Sequence, residues 1–422
     1  MGFMNKPFVV MFNYGGGLRG LIPAYVMNEI EKKTGLRMAE MVDIFAGPST
    51  GSILNAALNI RDPDKPDKPK YRARHLIRFY MREGANIFPY DRFRQFRGFV
   101  RDFNNRTMKI GQLNKLMRHG HYDMGQLHGS LRQLFGDTKI SQSLSSLIIP
   151  FYDIAGGTIN TVIEKNESYS SPVHTRNNLA YPAGKAVWMK HIHPHASALP
   201  PPPPQSVSMF DAVMASCSAP TYFPCHHFYT RDPMSGQVHE NHAIDGSIFD
   251  NPCITYHGAI RRHVPQGHDL HMVCLGTGVV NKPITKDEWD QFGAIGVVDP
   301  ANDYPLINIF FQASESALID SFSEDLGDRL FVLNESLHGN SMTDARYPST
   351  SIDNATPENL ARMKRFAYMM MENRAAEFDD LCHLLASNRD RRHKEKRSFF
   401  KDLQSGLQAL GIGGHNPDEP LH

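Results

Sequence analysis

The chain has 422 residues, 41% of them hydrophobic, and its 45 basic and 44 acidic side chains nearly cancel. That length suits one large domain with additions, or about two or three smaller units, and it can bury a sizeable core. The balanced charge gives no global basic field for nucleic acid, so any charge-driven contact must come from a local patch.

The N-terminal stretch MGFMNKPFVVMFNYGGG has an apolar run too short for a secretory signal, and no small-residue cleavage site follows it. No uninterrupted apolar stretch approaches the ~20 residues needed to span a bilayer. Lys6 stands where the myristoylation pattern wants Ser or Thr. A cytoplasmic protein is expected, with export by a route needing no cleaved signal left open. The five cysteines (Cys217, Cys225, Cys253, Cys274 and Cys382) are scattered and form no CxxC pair. They read as buried thiols in a reducing compartment, not as a disulfide framework or a zinc site.

Residues 7–60 alternate between strand and helix. Pro7–Phe12 is a continuous apolar run of the kind buried on both faces of a sheet. Glycines 15, 16, 17 and 20 turn the chain into a helix that ends near Gly35. Met41–Ala46 is a second apolar run, and Gly47–Gly51 leads to a helix of small residues. This alternation predicts an α/β layered domain with a mostly parallel sheet. Residues 61–71 are charged and proline-rich, an exposed loop. A basic insertion at about 72–137, helical or irregular, is expected to cover one side of the sheet.

Strands are expected at Ser146–Ile154, near Ala186–Met189, and around Cys225–Tyr229, Val238–Ile244 and Leu270–Leu275. The proline run in 194–206 predicts a stiff polyproline loop, with docking of a proline-reading module as a minor alternative. A helix ends near Ser216, another covers Leu306–Phe322, and a strand covers Arg329–Leu333. Thr356–Pro357 has the form of a helix N-cap with proline at the first helical position, and opens a long helix to about Ser387. The expected division is a catalytic domain over 1–350 and a helical region over 351–422.

Gly47–Pro48–Ser49–Thr50–Gly51 is a G-x-S-x-G pentapeptide between a strand-like run and a helix. A nucleophilic serine held out of a sheet needs so tight a turn that only glycine fits on either side. The helix that follows points its N-terminal dipole at developing negative charge. A helix-capping serine in an ordinary loop would have the same spacing.

Gly15–Gly16–Gly17–Leu18–Arg19–Gly20 follows the first strand, and its amides can form an anion-binding nest. Its G-x-G-x-x-G spacing also fits a dinucleotide loop. Asp43 is poorly placed as the acid that reading needs, and no Walker lysine is present. An oxyanion hole serving the serine suits the order of segments better.

A base is also required. With 21 histidines a Ser–His–Asp triad is not excluded by composition, and His263, His268, His271, His338 and His383 are available for it. None sits in a recognisable signature. His191, His193 and His195 alternate, and His226 and His227 are adjacent, but neither group has the helical spacing with a carboxylate that zinc hydrolases use. Asp245 ends an apolar-leading segment and is followed by Gly246 and Ser247, a turn that aims a carboxylate into a cleft.

These pieces, in this order, resemble the patatin-like phospholipases. Three further blocks carry the resemblance: Ser216–Cys217–Ser218–Ala219–Pro220–Thr221–Tyr222–Phe223–Pro224, Phe249–Asp250–Asn251–Pro252 and Leu275–Gly276–Thr277–Gly278. The likeness spans roughly residues 7–335. Departures are Tyr14 where many members carry Asp, Pro48 before the serine, and Ser52 and Ser247 where glycine or alanine is usual.

The resemblance implies a patatin-like three-layer α/β/α fold with a mostly parallel central sheet, plus a C-terminal helical extension. It implies a phospholipase A-type lipid acyl hydrolase with Ser49 as nucleophile and Asp245 as base. Gly15, Gly16, Gly17 and Arg19 would form the oxyanion loop. Neither metal nor cofactor is needed, the substrate is a phospholipid or other acyl lipid, and a protein activator is compatible with the family. A soluble esterase or thioesterase, or a non-catalytic binding member, are the alternatives. The tail adds a peripheral-membrane candidate: Arg389, Arg391, Arg392, Lys394, Lys396 and Arg397 precede Phe399, Phe400, Leu403, Leu407 and Leu410. Docking of that helix on the domain is the competing expectation.

Overall fold

The computed structural model describes residues 6–87, 122, 124–155, 175–176, 179–180, 184–193, 197, 207–232, 236–280, 283–297, 305–337 and 346–409. In chain order the elements used below are β1 (Lys6–Asn13), α1 (Leu21–Thr34), β2 (Ile44–Ala46), α2 (Thr50–Leu58), α3 (Ala73–Ile87) and α4 (Met124–Phe135). Then come β3 (Ser146–Asp153), β4 (Lys185–His191), α5 (Met209–Cys217), β5 (His226–Arg231), β6 (Val238–Asp245) and β7 (His268–Leu275). The last are α6 (Pro305–Leu326), β8 (Leu330–Leu333), α7 (Pro357–Asn373) and α8 (Ala375–Ala409).

The principal sheet has eight strands, in the order β8–β7–β1–β2–β3–β6–β5, with β4 also on β3. The five strands from β8 to β3 are parallel, and β4, β5 and β6 join antiparallel. Strand periodicity divides the core in two. Val9, Met11, Phe45, Leu147 and Ile149 join one buried cluster with residues of α1, α2, α3, α5, α7 and α8. Phe8, Val10, Phe12, Ile44 and Ile148 join the other, with Phe322 and Leu326 of α6. Helices thus cover both faces of a mostly parallel sheet, the α/β/α layering that the family resemblance implies.

The β3 strand makes a fork. Ile148 faces Ala46 of β2 on one edge and Lys190 of β4 on the other, whereas Phe151 faces Val187 of β4 and Asp245 of β6. Because β4 holds one edge throughout, β2 and β6 share the other. Where β2 stops, the chain turns into Gly47–Gly51, and β6 arrives from the opposite direction to end at Asp245. The fork is a switch point at the carboxyl ends of parallel strands, the usual position of a crevice in such sheets.

Several boundaries differ from expectation. Met41 closes a single helical turn (Met38–Met41), leaving only Ile44–Ala46 as strand. The long C-terminal helix is two helices. α7 starts as predicted, with Thr356 Oγ1 accepting the Asn359 amide at 3.3 Å, but it stops at Arg374, which has φ −127° and ψ 41°. There the Arg374 guanidinium turns to the Val332 carbonyl and the Glu377 carboxylate. α8 then continues well past Ser387, to Ala409.

Of the insertion, α3 and α4 pack on one another and on α1 and α5, which places them on one face of the sheet. Its middle lies outside the described residues, as does the proline loop apart from Ser197. Leu360, Met363, Phe366 and Met370 of α7 and Leu381 and Leu385 of α8 share the first core cluster with β1.

Candidate active site

The turn after β2 places Ser49 at φ 53° and ψ −126°, a backbone conformation that side-chain-bearing residues rarely adopt. Such strain costs of order 1–3 kcal/mol and persists only where neighbours enforce it. They do so here. The Ser49 amide donates to Ser216 Oγ at 3.0 Å, and the Ser49 carbonyl accepts the Ser52 amide at 2.9 Å and the Ser52 hydroxyl at 2.6 Å. A Cβ on either Gly47 or Gly51 would stand 2.0 Å from the Asn13 carbonyl oxygen. Both glycines of the pentapeptide are therefore fixed by one atom at the end of β1. Thr50 opens α2 and touches the Tyr80 hydroxyl of α3.

The glycine loop lies directly against this elbow. A Cβ on Gly15 would be 3.3 Å from Ser49 Cβ and 2.3 Å from Ser247 Oγ. Gly16 and Gly17 have φ of 153° and 57°, and Gly16 is pressed on Thr277, whose hydroxyl donates to the Gly15 carbonyl at 2.7 Å. The Leu18 amide is taken by the Ile352 carbonyl at 2.8 Å and the Arg19 amide by the Gly16 carbonyl at 3.1 Å. Among the described residues the Gly16 and Gly17 amides meet no protein acceptor. Arg19 therefore spends its amide within the loop itself. What it brings is a buried guanidinium in the cavity wall.

Asp245 ends β6 facing the elbow and is 1% exposed. Its Oδ1 accepts the Ser247 amide at 2.8 Å. Gly246 is forced, because a Cβ there would lie 2.4 Å from the Pro150 carbonyl oxygen. Burial pushes the Asp245 carboxyl up to about 6, against the pull of the Ser247 amide and the Ser49 and Ser247 hydroxyls. The seryl oxygen and the carboxylate therefore share one site.

Ser49, Asp245 and the glycine loop line a cavity of about 150 Å³ whose further walls include Leu18, Ile53, Phe79 and Phe223. Asp250 also faces it, holding Trp188 Nε1 at 3.0 Å and Thr255 Oγ1 at 2.6 Å. Burial lifts Asp250 to about 7. Tyr14 donates to Glu315 of α6, whose carboxyl burial also raises. Where the resemblance implies an acid before the glycines, this chain has a phenol that reaches an acid on another helix.

No histidine among the described residues lines the cavity. His263 Nδ1 is 3.0 Å from Ser197 Oγ, and His268 Nε2 is 3.1 Å from Glu395. His338 and His195 lie outside the described residues. The rings of His191 and His193 are 4.6 Å apart, with His193 on the Ser143 carbonyl. Asp43, weighed above as a dinucleotide acid, is occupied by the Val9 amide, Asn388, Arg391 and Arg392.

Some working residues went unread. Ser216 and Thr277 sit inside quoted blocks, so their positions were visible but not their bonds. Ile352 and Glu315 come from remote segments with no motif around them.

A family model described as "Patatin-like phospholipase" matches residues 14–256. "Patatin-like protein 2" of Oryza sativa subsp. indica is 23% identical over 404 residues, covering 89% of this chain and 86% of that protein. "Patatin-like protein 2" of Arabidopsis thaliana is 27% identical over 330 residues, covering 72% and 69%. "Patatin group M-2" of Solanum tuberosum is 25% identical over 252 residues, covering 58% and 50%. Among solved structures, VipD from Legionella pneumophila aligns over 91% of this chain and 67% of its own at 12% identity, but with a TM-score of 0.30 the match carries no structural weight. The family match spans more than half of the chain and covers the serine elbow and Asp245, and the protein belongs to the patatin-like phospholipase family, which supports lipid acyl hydrolase activity at family level.

Proposed function

We propose that the protein is a phospholipase A-type hydrolase that cleaves fatty-acyl esters of glycerolipids through a Ser49 acyl-enzyme, with Asp245 as general base. The observation that carries the reading is the meeting of a strained Ser49 elbow with a buried carboxyl whose pKa stands at about 6. An ordinary aspartate is too weak a base for an alcohol, and each unit of upward shift improves the match to neutral pH.

Asp245 accepts the Ser49 proton as Oγ attacks the ester carbonyl. The tetrahedral oxyanion is held by the Gly16 and Gly17 amides and by the N-terminus of α2. Loss of one such donor costs about 2.7–4 kcal/mol in comparable sites. Collapse expels the lipid alcohol, which takes the proton back from Asp245. Water, deprotonated by Asp245, then attacks the acyl-enzyme, and collapse returns that proton to Ser49 Oγ as the fatty acid leaves. The apolar walls suit an acyl chain, and burial raises the carboxyls of Asp250 and Glu315 beside it.

The test is fatty-acid release from mixed phospholipid vesicles by wild type, Ser49→Ala and Asp245→Asn. Release by wild type alone, with both variants folded, supports the dyad. Activity on short soluble esters without vesicle hydrolysis would favour the esterase reading. Failure of a serine-directed fluorophosphonate to label Ser49 would favour a binding protein.

A further inference from the structure

His226 and His227 are neighbours in sequence but not in function, because successive residues of a strand face opposite ways. His226 turns inward to Asp211, 3.2 Å away. His227 turns outward, where the β5–β6 ladder sets it directly opposite His242. Glu240, two residues before His242 on β6, shares that outer face. Its Oε1 lies 2.6 Å from His227 Nε2 and 3.4 Å from His242 Nε2. The two imidazole rings are 5.2 Å apart between centroids.

We propose that His227, Glu240 and His242 form a divalent transition-metal site, with zinc as the fitting ion. The three ligand atoms all lie within 4.8 Å of one another, and no other such trio exists among the described residues. Tetrahedral bonds of about 2.0–2.2 Å put ligand atoms roughly 3.3–3.5 Å apart. One pair is already at that spacing, one is closer and the third lies within 4.8 Å, so small rotations of three partly exposed side chains close the set. The two imidazoles favour zinc over calcium or magnesium, which take all-oxygen sets, and zinc accepts the carboxylate beside them. The fourth position faces solvent and would take water.

The backbone already provides much of the organisation. Two ligands sit at i and i+2 on one strand, and the third is fixed across the ladder by register. The ion would tie together the edge strand and its neighbour, and that neighbour ends three residues later in Asp245. The site is independent of the hydrolase reading, since none of its ligands lines the active-site cavity.

Calorimetric titration of the chelator-treated full chain with zinc tests it. One saturable site per chain is expected, weakened at least about tenfold in His242→Ala, His227→Ala and Glu240→Gln, while a His191→Ala/His193→Ala double variant binds as wild type. Cobalt provides a second readout. Its tetrahedral d–d absorption should appear with wild type and be lost in His227→Ala, with circular dichroism confirming that the variant is folded. Absence of a saturable site in wild type, or undiminished binding in folded His242→Ala, would overturn the assignment and leave a carboxylate shared between two imidazoles.

Discussion

Ser216 stands 167 positions after Ser49, yet its Oγ accepts the Ser49 amide proton at 3.0 Å. That bond holds the Ser49 backbone in a conformation it would otherwise leave, and uses an amide otherwise available to an oxyanion. Ser216→Ala should leave the amide without its partner, at a cost of about 1–3 kcal/mol. The loss should fall mainly on kcat, roughly 10–100-fold, with KM little changed, because the elbow is disturbed and the acyl cavity is not. An unchanged kcat in steady-state lipolysis would mean the elbow holds its shape without Ser216.

The strain at Ser49 can be weighed directly. Ser49→Ala and Ser49→Gly both remove the hydroxyl, but only glycine relaxes at φ 53°. Ser49→Gly should be the more stable of the two by about 1 kcal/mol in urea unfolding. Gly51→Ala should do the reverse and fail to fold, since its Cβ would stand 2.0 Å from the Asn13 carbonyl oxygen. Equal stability of the two Ser49 variants would show that the turn carries no strain.

Much of this was legible in the sequence, and the reason is local. The strand β1, the two glycine turns and Asp245–Gly246 are short patterns whose shape is set by steric limits within a few residues. The long C-terminal helix was misread because the break at Arg374 answers to the Val332 carbonyl of β8, which no local pattern announces. Ile352 on the glycine loop and Glu315 on Tyr14 were hidden for the same reason. The histidine contacts were hidden differently. Adjacency in sequence suggested a cluster, while strand periodicity separates His226 from His227 and ladder register brings in His242.

Asp245 should show its burial in two pH profiles. As the proposed base it works when ionised, so activity should rise through about pH 6. Stability has the opposite sense. The folded carboxyl is raised from 3.8 to about 6, so across that interval the native state binds more protons than the unfolded chain, and stability falls as pH rises. Asp245→Asn removes the buried charge and should be the more stable protein at pH 8, by up to about 3 kcal/mol at 1.36 kcal/mol per unit. The advantage should shrink as pH falls through 6 and vanish below the ordinary carboxylate range. Thermal unfolding of both proteins across this range decides it, and a pH-independent difference would place the charged form outside the buried site.

The C-terminal basic segment poses the last test, and the structure changes how it must be made. Arg391 and Arg392 reach Asp43, which is 2% exposed and also receives the Val9 amide at 2.8 Å and Asn388 Nδ2 at 2.9 Å. These two arginines are anchors of α8 on the sheet. Asp43→Ala would take the carboxylate partner from Arg392 and leave Arg391 with Glu395 alone, and a loss of about 3–5 kcal/mol is expected in urea unfolding. Ending the chain before Asn388 should destabilise it comparably, so lost membrane binding in a truncation would report unfolding. Lys394, Lys396 and Arg397 are exposed and can be changed without touching Asp43. Replacing those three by Gln should leave the thermal midpoint near wild type. If the segment meets lipid, binding to anionic vesicles should weaken by about 1 kcal/mol per residue, and the effect should fade in high salt. Undiminished vesicle binding by this folded variant would assign α8 to holding the domain together and nothing more.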